Sequence, residues 1–143
     1  MTKVMLGGEN CEACGIQQTL HKGIPQPTGE EADKWFAAFS GVMNEIVSKI
    51  LPNPYNAGGA IAEFNKENFQ NTIAWLVLAK YAKRNPANDQ KNLDSAIAGD
   101  EATLKAILSM SFNITGHAAI EKVRSIQSCI DDELDKQFGA LAR

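Results

Sequence analysis

One stretch of the chain is apolar from every direction. Between Asn65 and Arg84 the run Ile73 to Ala79 carries no polar residue, so a helix wound from it has no wet side and needs other helices around it. The run is far shorter than the roughly 20 residues that cross a bilayer, so its burial is expected inside protein. Phe69, Ile73, Leu76, Val77 and Tyr81 make one wall, and Ala74, Trp75 and Leu78 the other. Glu67 near the start and Lys80, Lys83 and Arg84 at the end match the polarity of a helix dipole. The pattern predicts a helix over about 65–84 at the centre of the fold.

Helical spacing recurs on both sides of it. Thr28-Gly29-Glu30-Glu31 has the form of a capping box, and behind it Trp35, Phe36, Phe39, Val42, Met43, Ile46, Val47 and Ile50 recur every three or four residues until Pro52 and Pro54. A shorter helix is expected over about 11–22, capped by Asn10 and stopped by Gly23, with residues 1–9 as an arm and the prolines at 25 and 27 as an extended connector. Residues 52–59 carry turn chemistry and read as the longest loop. Asn85-Pro86 suits the start of a short helix ending at Gly99, and Asp100 suits the cap of another through Leu104, Ile107, Leu108 and Phe112, with Asn113 as a left-handed stop. A final helix from Thr115 places Ala119, Val123, Ile126, Ile130, Leu134 and Phe138 on one face. No strand pattern, internal repeat or long linker is evident. The expected fold is all-α: one compact domain over 1–143, a bundle of about six helices around the 65–84 helix.

Composition narrows the class without adding an activity. At 143 residues, 44% apolar and 22% charged, the chain is an ordinary globular domain that needs no staples to bury a core. A net charge of -3 gives no overall pull towards nucleic acid or an anionic membrane. The absence of a secretory or membrane-length apolar run, with an odd number of cysteines, leads to the expectation of a soluble, cytoplasmic protein.

Cys11-Glu12-Ala13-Cys14 is the only recognised chemical spacing. Two cysteines three apart at a helix start can act as a thiol-disulfide pair, the first-turn amides favouring a thiolate while Glu9 and Glu12 oppose it. A CxxC on an all-helical chain resembles the alkylhydroperoxidase D-like and carboxymuconolactone decarboxylase group, whose redox members place a histidine four residues after the second cysteine. That position is Gln18 here, and the resemblance extends little beyond the motif and Gly23, so it is not adopted; it would carry over Cys11 and Cys14 alone. The same residues admit a zinc reading, with Cys11, Cys14 and His21 completed by Cys129 or His117, although no cofactor is otherwise expected. The acidic cluster Asp131, Asp132, Glu133 and Asp135 reads as a solvated face.

Two binding readings remain. Lys80, Lys83, Arg84 and Lys91 surround Tyr81 with only Asp89 opposing, a face that could meet phosphates of nucleic acid, although cations at a helix end also simply answer its dipole. Trp35 and Phe36 are adjacent and so point about 100° apart on a helix; both can be inward only if that helix is covered on two sides. With Phe39 they form the candidate contact for a protein partner or a second copy of the chain. Without an anchored acid, base or nucleophile, the leading expectation is a non-catalytic interaction or assembly subunit. A thiol-dependent redox protein and a nucleic-acid-contacting subunit are the alternatives.

Overall fold

The computed structural model describes residues 24–51 and 63–139. Among them are four α-helices and no strand: α1 (Gly29–Glu45), extended by a π-helical turn (Ile46–Ile50), α2 (Glu63–Lys83), α3 (Gln90–Phe112) and α4 (Gly116–Phe138). The helix expected over 11–22, the arm at 1–9 and the loop at 52–59 lie outside the described residues.

The start of α1 departs from the capping-box expectation. Thr28 is extended (φ -132°, ψ 160°) but its hydroxyl caps nothing, because Gly29 follows in the left-handed region at φ +58° and turns the chain before the first amides come within reach. Glu30 and Glu31 in the first turn still complement the dipole. At the other end the amide of Leu51 reaches back five residues to the Ile46 carbonyl at 2.8 Å, and Lys122 Nζ donates to the Ile50 carbonyl at 2.9 Å. Leu51 then leaves as extended chain (φ -121°), the conformation that a following proline imposes.

Along α2 every residue from Asn71 to Ala79 is buried, and so is Ala82. Buried Thr72 meets its own polarity by donating to the Asn68 carbonyl at 2.7 Å. In the turn after α2 side chains answer the backbone: Asn88 Nδ2 donates to the helix carbonyl Ala82 O at 2.8 Å, and Asn85 Oδ1 accepts from the Ala87 amide at 3.0 Å. Asn85 is thereby committed to its own turn. The next helix accordingly starts at Gln90, not at Pro86, with Asp89 accepting from the Asn92 amide at 3.1 Å.

The two helices expected on either side of Gly99 are one. α3 runs unbroken from Gln90 to Phe112, and Asp100, expected as a cap, is an interior residue with no exposed surface. The cause is packing: Leu93, Ala96, Asp100, Leu104, Ile107 and Leu108 keep one buried face in register through Gly99, and that face outweighs the ~1 kcal/mol a mid-helix glycine costs. α3 does end at Asn113, left-handed at φ +55°, where the Ile114 amide returns to Leu108 O at 3.0 Å.

Cross-helix contacts fix the directions. Tyr81 near the end of α2 meets Glu31 at the start of α1; Arg84 just past α2 meets Asp135 at the end of α4; Gly41 at mid-α1 lies against Glu133. The helices therefore run up, down, up, down. α2 and α4 each pack against the other three helices, while α1 and α3 do not meet. Among the described residues no helix is long and apolar enough to cross a membrane.

The two helix starts differ in a testable way. Asp89→Ala should cost about 1 kcal/mol in a chemical denaturation series, whereas Thr28→Ala should stay within about 0.5 kcal/mol. Equal losses would show that Thr28 caps α1 after all.

Candidate functional site

Three surfaces bear on function, and the most distinctive is the outer side of α1. Its adjacent rings separate as the helix geometry requires: Trp35 is 1% exposed and Phe36 is 43% exposed. Phe39, partly buried, stacks on Trp35 at 5.7 Å between centroids and 7° between planes, and meets Phe36 at 6.2 Å and 59°. The three expected contact residues are thus one aromatic run from core to surface. Trp35 belongs to the core, and Phe36 is the ring left at the surface. Met43, half-buried, and Val47, 38% exposed, continue the same edge of the helix. The sequence placed both in one stripe with the core residues. Their position off its axis was not separable there, because an amphipathic stripe does not mark where a neighbouring helix stops covering it.

From Trp35 to Asn44 α1 carries no charged residue, so Ala37, Ser40 and Asn44, all on the outside or half-covered, leave the exposed face nearly neutral. Charges resume on both sides, with Glu30, Glu31, Asp33 and Lys34 before it and Glu45 and Lys49 after it.

The second surface is the basic cluster, and its neighbours change its meaning. Lys80 pairs with Asp131 at 3.0 Å, Arg84 with Asp135 at 3.0 Å, and Lys83 with Asp94; Arg84 also donates to the Gly139 carbonyl. Asp89 is therefore far from the only opposing charge. Lys80 and Arg84 are four apart on α2 and its extension, Asp131 and Asp135 four apart on α4, and the two helices run parallel, so the rungs match. The acidic cluster is corrected by the same pairing: Asp131 and Asp135 answer cations, Glu133 is buried and bonded to Lys136 at 2.8 Å, and Asp132 alone is exposed. Lys80, Lys83, Arg84, Asp94, Glu101 and Asp131 line a cleft of about 500 Å³ whose opposite charges are balanced. Lys91 stands exposed. Equal spacing of opposite charges on two segments was the sequence signal for this ladder, but it requires knowing that the segments are parallel neighbours.

The third surface surrounds Cys129, in a cleft with Glu45, Lys49, Ser125, Ser128, Asp132 and Glu133. Burial first, and then Glu133, Glu45 and Asp132, push the thiol up to about 11 from its ordinary 9.0, which keeps it protonated and unreactive near neutrality. Cys11, Cys14 and His21, the thiol pair and the other proposed zinc ligands, lie outside the described residues. Among the described residues no group of three His, Cys, Asp or Glu is placed to hold a metal ion. His117 is a surface residue 3.2 Å from Glu121.

Tyr81 belongs to a neighbouring hollow with Pro25, Pro27 and Phe138. It donates to Glu31 Oε2 at 2.6 Å and tilts onto Phe138 at 4.9 Å. Burial, followed by the hydrogen bond and the charge of Glu31, pushes its hydroxyl up to about 12. Comparisons add no assignment, since no family, curated protein or solved structure matches the chain.

Both raised groups give the fold an alkaline limit. The unfolded chain loses these protons first as pH rises, so the stability they confer is complete below about 9 and drains away towards 11 for Cys129 and 12 for Tyr81. Unfolding free energy should fall across that window, and Tyr81→Phe should flatten its upper part. At pH 8, Cys129 should be alkylated by iodoacetamide at least ~10-fold more slowly than free cysteine. A rate equal to free cysteine would mean the thiol is neither shielded nor raised.

Proposed function

We propose that this protein is a non-catalytic helical interaction or assembly subunit that binds a protein partner through the outer face of α1. The observation that supports the reading is Phe36: a large ring 43% exposed, in a fold that buries its other described large aromatics more deeply, held in place by Phe39 and through it by Trp35. A ring fixed before binding loses little conformational freedom on contact, the property of an interface anchor. The neutral span from Trp35 to Asn44 adds to this, since the cores of interfaces are depleted in charge. The basic cluster offers less to a phosphate backbone than its composition implied, because Lys80, Lys83 and Arg84 already hold carboxylates.

The test is site-specific photo-crosslinking in cells with a benzophenone side chain at Ala37 or at Asp94. The Ala37 probe should capture a defined protein species, Phe36→Ser should abolish the capture, and the Asp94 probe should give none. Phe36→Ser should cost no more than ~1 kcal/mol of stability, as expected of a partly exposed side chain. No product at Ala37, or a product indifferent to Phe36, would remove this surface as the binding site.

A further inference from the structure

The charges that bracket the neutral span of α1 constrain what can lie against it. Four of the six are arranged about the midpoint between Phe39 and Ser40: Lys34 and Glu45 are equally far from that point, and so are Glu30 and Lys49, with opposite signs in each pair, while Glu31, which accepts from Tyr81, and Asp33 have no charged counterpart across it. Phe36 and Met43 are related in the same way. At about 100° per residue Phe36, Met43 and Val47 fall on one edge of the outer face, Lys34, Glu45 and Glu30 on the other, and Asp33, Ser40 and Asn44 between them, with Asp33 towards the start of the helix. The π-helical turn, wider than an α-turn, keeps Lys49 beside Glu45, to which it is bonded at 3.2 Å.

A two-fold axis perpendicular to a helix reverses its direction while keeping each edge against the same edge of the copy. Applied at this midpoint, it sets Lys34 against Glu45 of a second copy, Glu30 against Lys49, and Phe36 against Met43, each contact occurring twice. A parallel two-fold would instead bring opposite edges together and set Lys34 and Glu45 against the apolar edge of Phe36, Met43 and Val47. Near the axis itself, where a two-fold opposes a residue to its own kind, there is no charge to repel. Resting on the reading of α1 as the contact surface, we infer that its partner is a second copy of this chain, joined in an antiparallel, isologous α1 pair.

The size of the contact sets its strength. Together α1 and its π-turn are about 33 Å long, and one helix pair falls short of the ~800 Å² per partner of a standard interface, so the dimer is reversible, with a dissociation constant on the order of 10–100 µM.

Sedimentation equilibrium across roughly 5–500 µM tests it on the full chain. The mass should rise from one chain to two. Phe36→Ser and Lys34→Glu should each weaken association about 10-fold, and Lys34→Glu combined with Glu45→Lys should return it to within about 2-fold of the parent. With the native cysteines replaced by Ser, Ser40→Cys, beside the axis, should oxidise to a linked dimer, whereas Ser48→Cys, about 13 Å from it, should not. A one-chain mass throughout overturns the second copy as partner, and capture of a different protein at Ala37 then leaves the surface itself standing. A dimer that ignores Phe36→Ser and both charge variants overturns the pairing, and with no Phe36-dependent capture at Ala37 it overturns the surface as well.

Discussion

Burial along α2 is the condition the other helices have to meet. From Asn71 to Ala79 no residue faces water, and each large side chain there, among them Ile73, Trp75, Leu76 and Leu78, gains about 1.5–3 kcal/mol by that burial only if a neighbour covers it. α1, α3 and α4 all pack on this helix, and each brings one buried stripe to the shared core: Trp35, Ala38, Val42 and Ile46; Leu93, Ala96, Leu104 and Leu108; Val123, Ile126, Ile130 and Leu134. Covering α2 also accounts for the unbroken α3. A stop at Gly99 would have taken the second half of that stripe away from its position against α2.

Polar groups fix the registers that apolar burial leaves loose. The Lys80–Asp131 and Arg84–Asp135 rungs and the Arg84 bond to the Gly139 carbonyl set how far α4 extends along α2. Lys122 does the same for α1 by reaching the Ile50 carbonyl, and Gly41 gives the Glu133 carboxylate the room it occupies. A Cβ at position 41 would fall 2.0 Å from Glu133 Oε1, so a side chain there would displace that carboxylate. With α1 held at this depth, its core side is used by Trp35 and its flank is left to Phe36.

How much of this was readable in advance depended on range. The α1 stripe, the run at 73–79, the left-handed Asn113 and the final helix rest on local periodicity and backbone preference, and the structure has helices over the three stretches and ends α3 at Asn113. Cap and start signals misled in three places: packing along α3 carries the helix through Asp100, the left-handed Gly29 beside Thr28 leaves its hydroxyl capping nothing, and Asn85 before Pro86 is used by its own turn. The candidate surfaces divided in the same way. That one of Trp35 and Phe36 points away from the core follows from 100° per residue, but the loss of the basic face to Asp94, Asp131 and Asp135 required knowing which helices are neighbours.

If α1 is the contact surface, its residues should sense protein concentration while the rest of the molecule does not. Two-dimensional amide NMR spectra recorded from about 10 to 500 µM would read this residue by residue. The expected result is progressive shifts confined to Glu30–Lys49, largest around Phe36, Ser40 and Met43, with the exposed surface around Met110 on α3 unmoved. Shifts that cluster on the Lys80–Asp131 cleft, or a spectrum unchanged over the whole range, would contradict it.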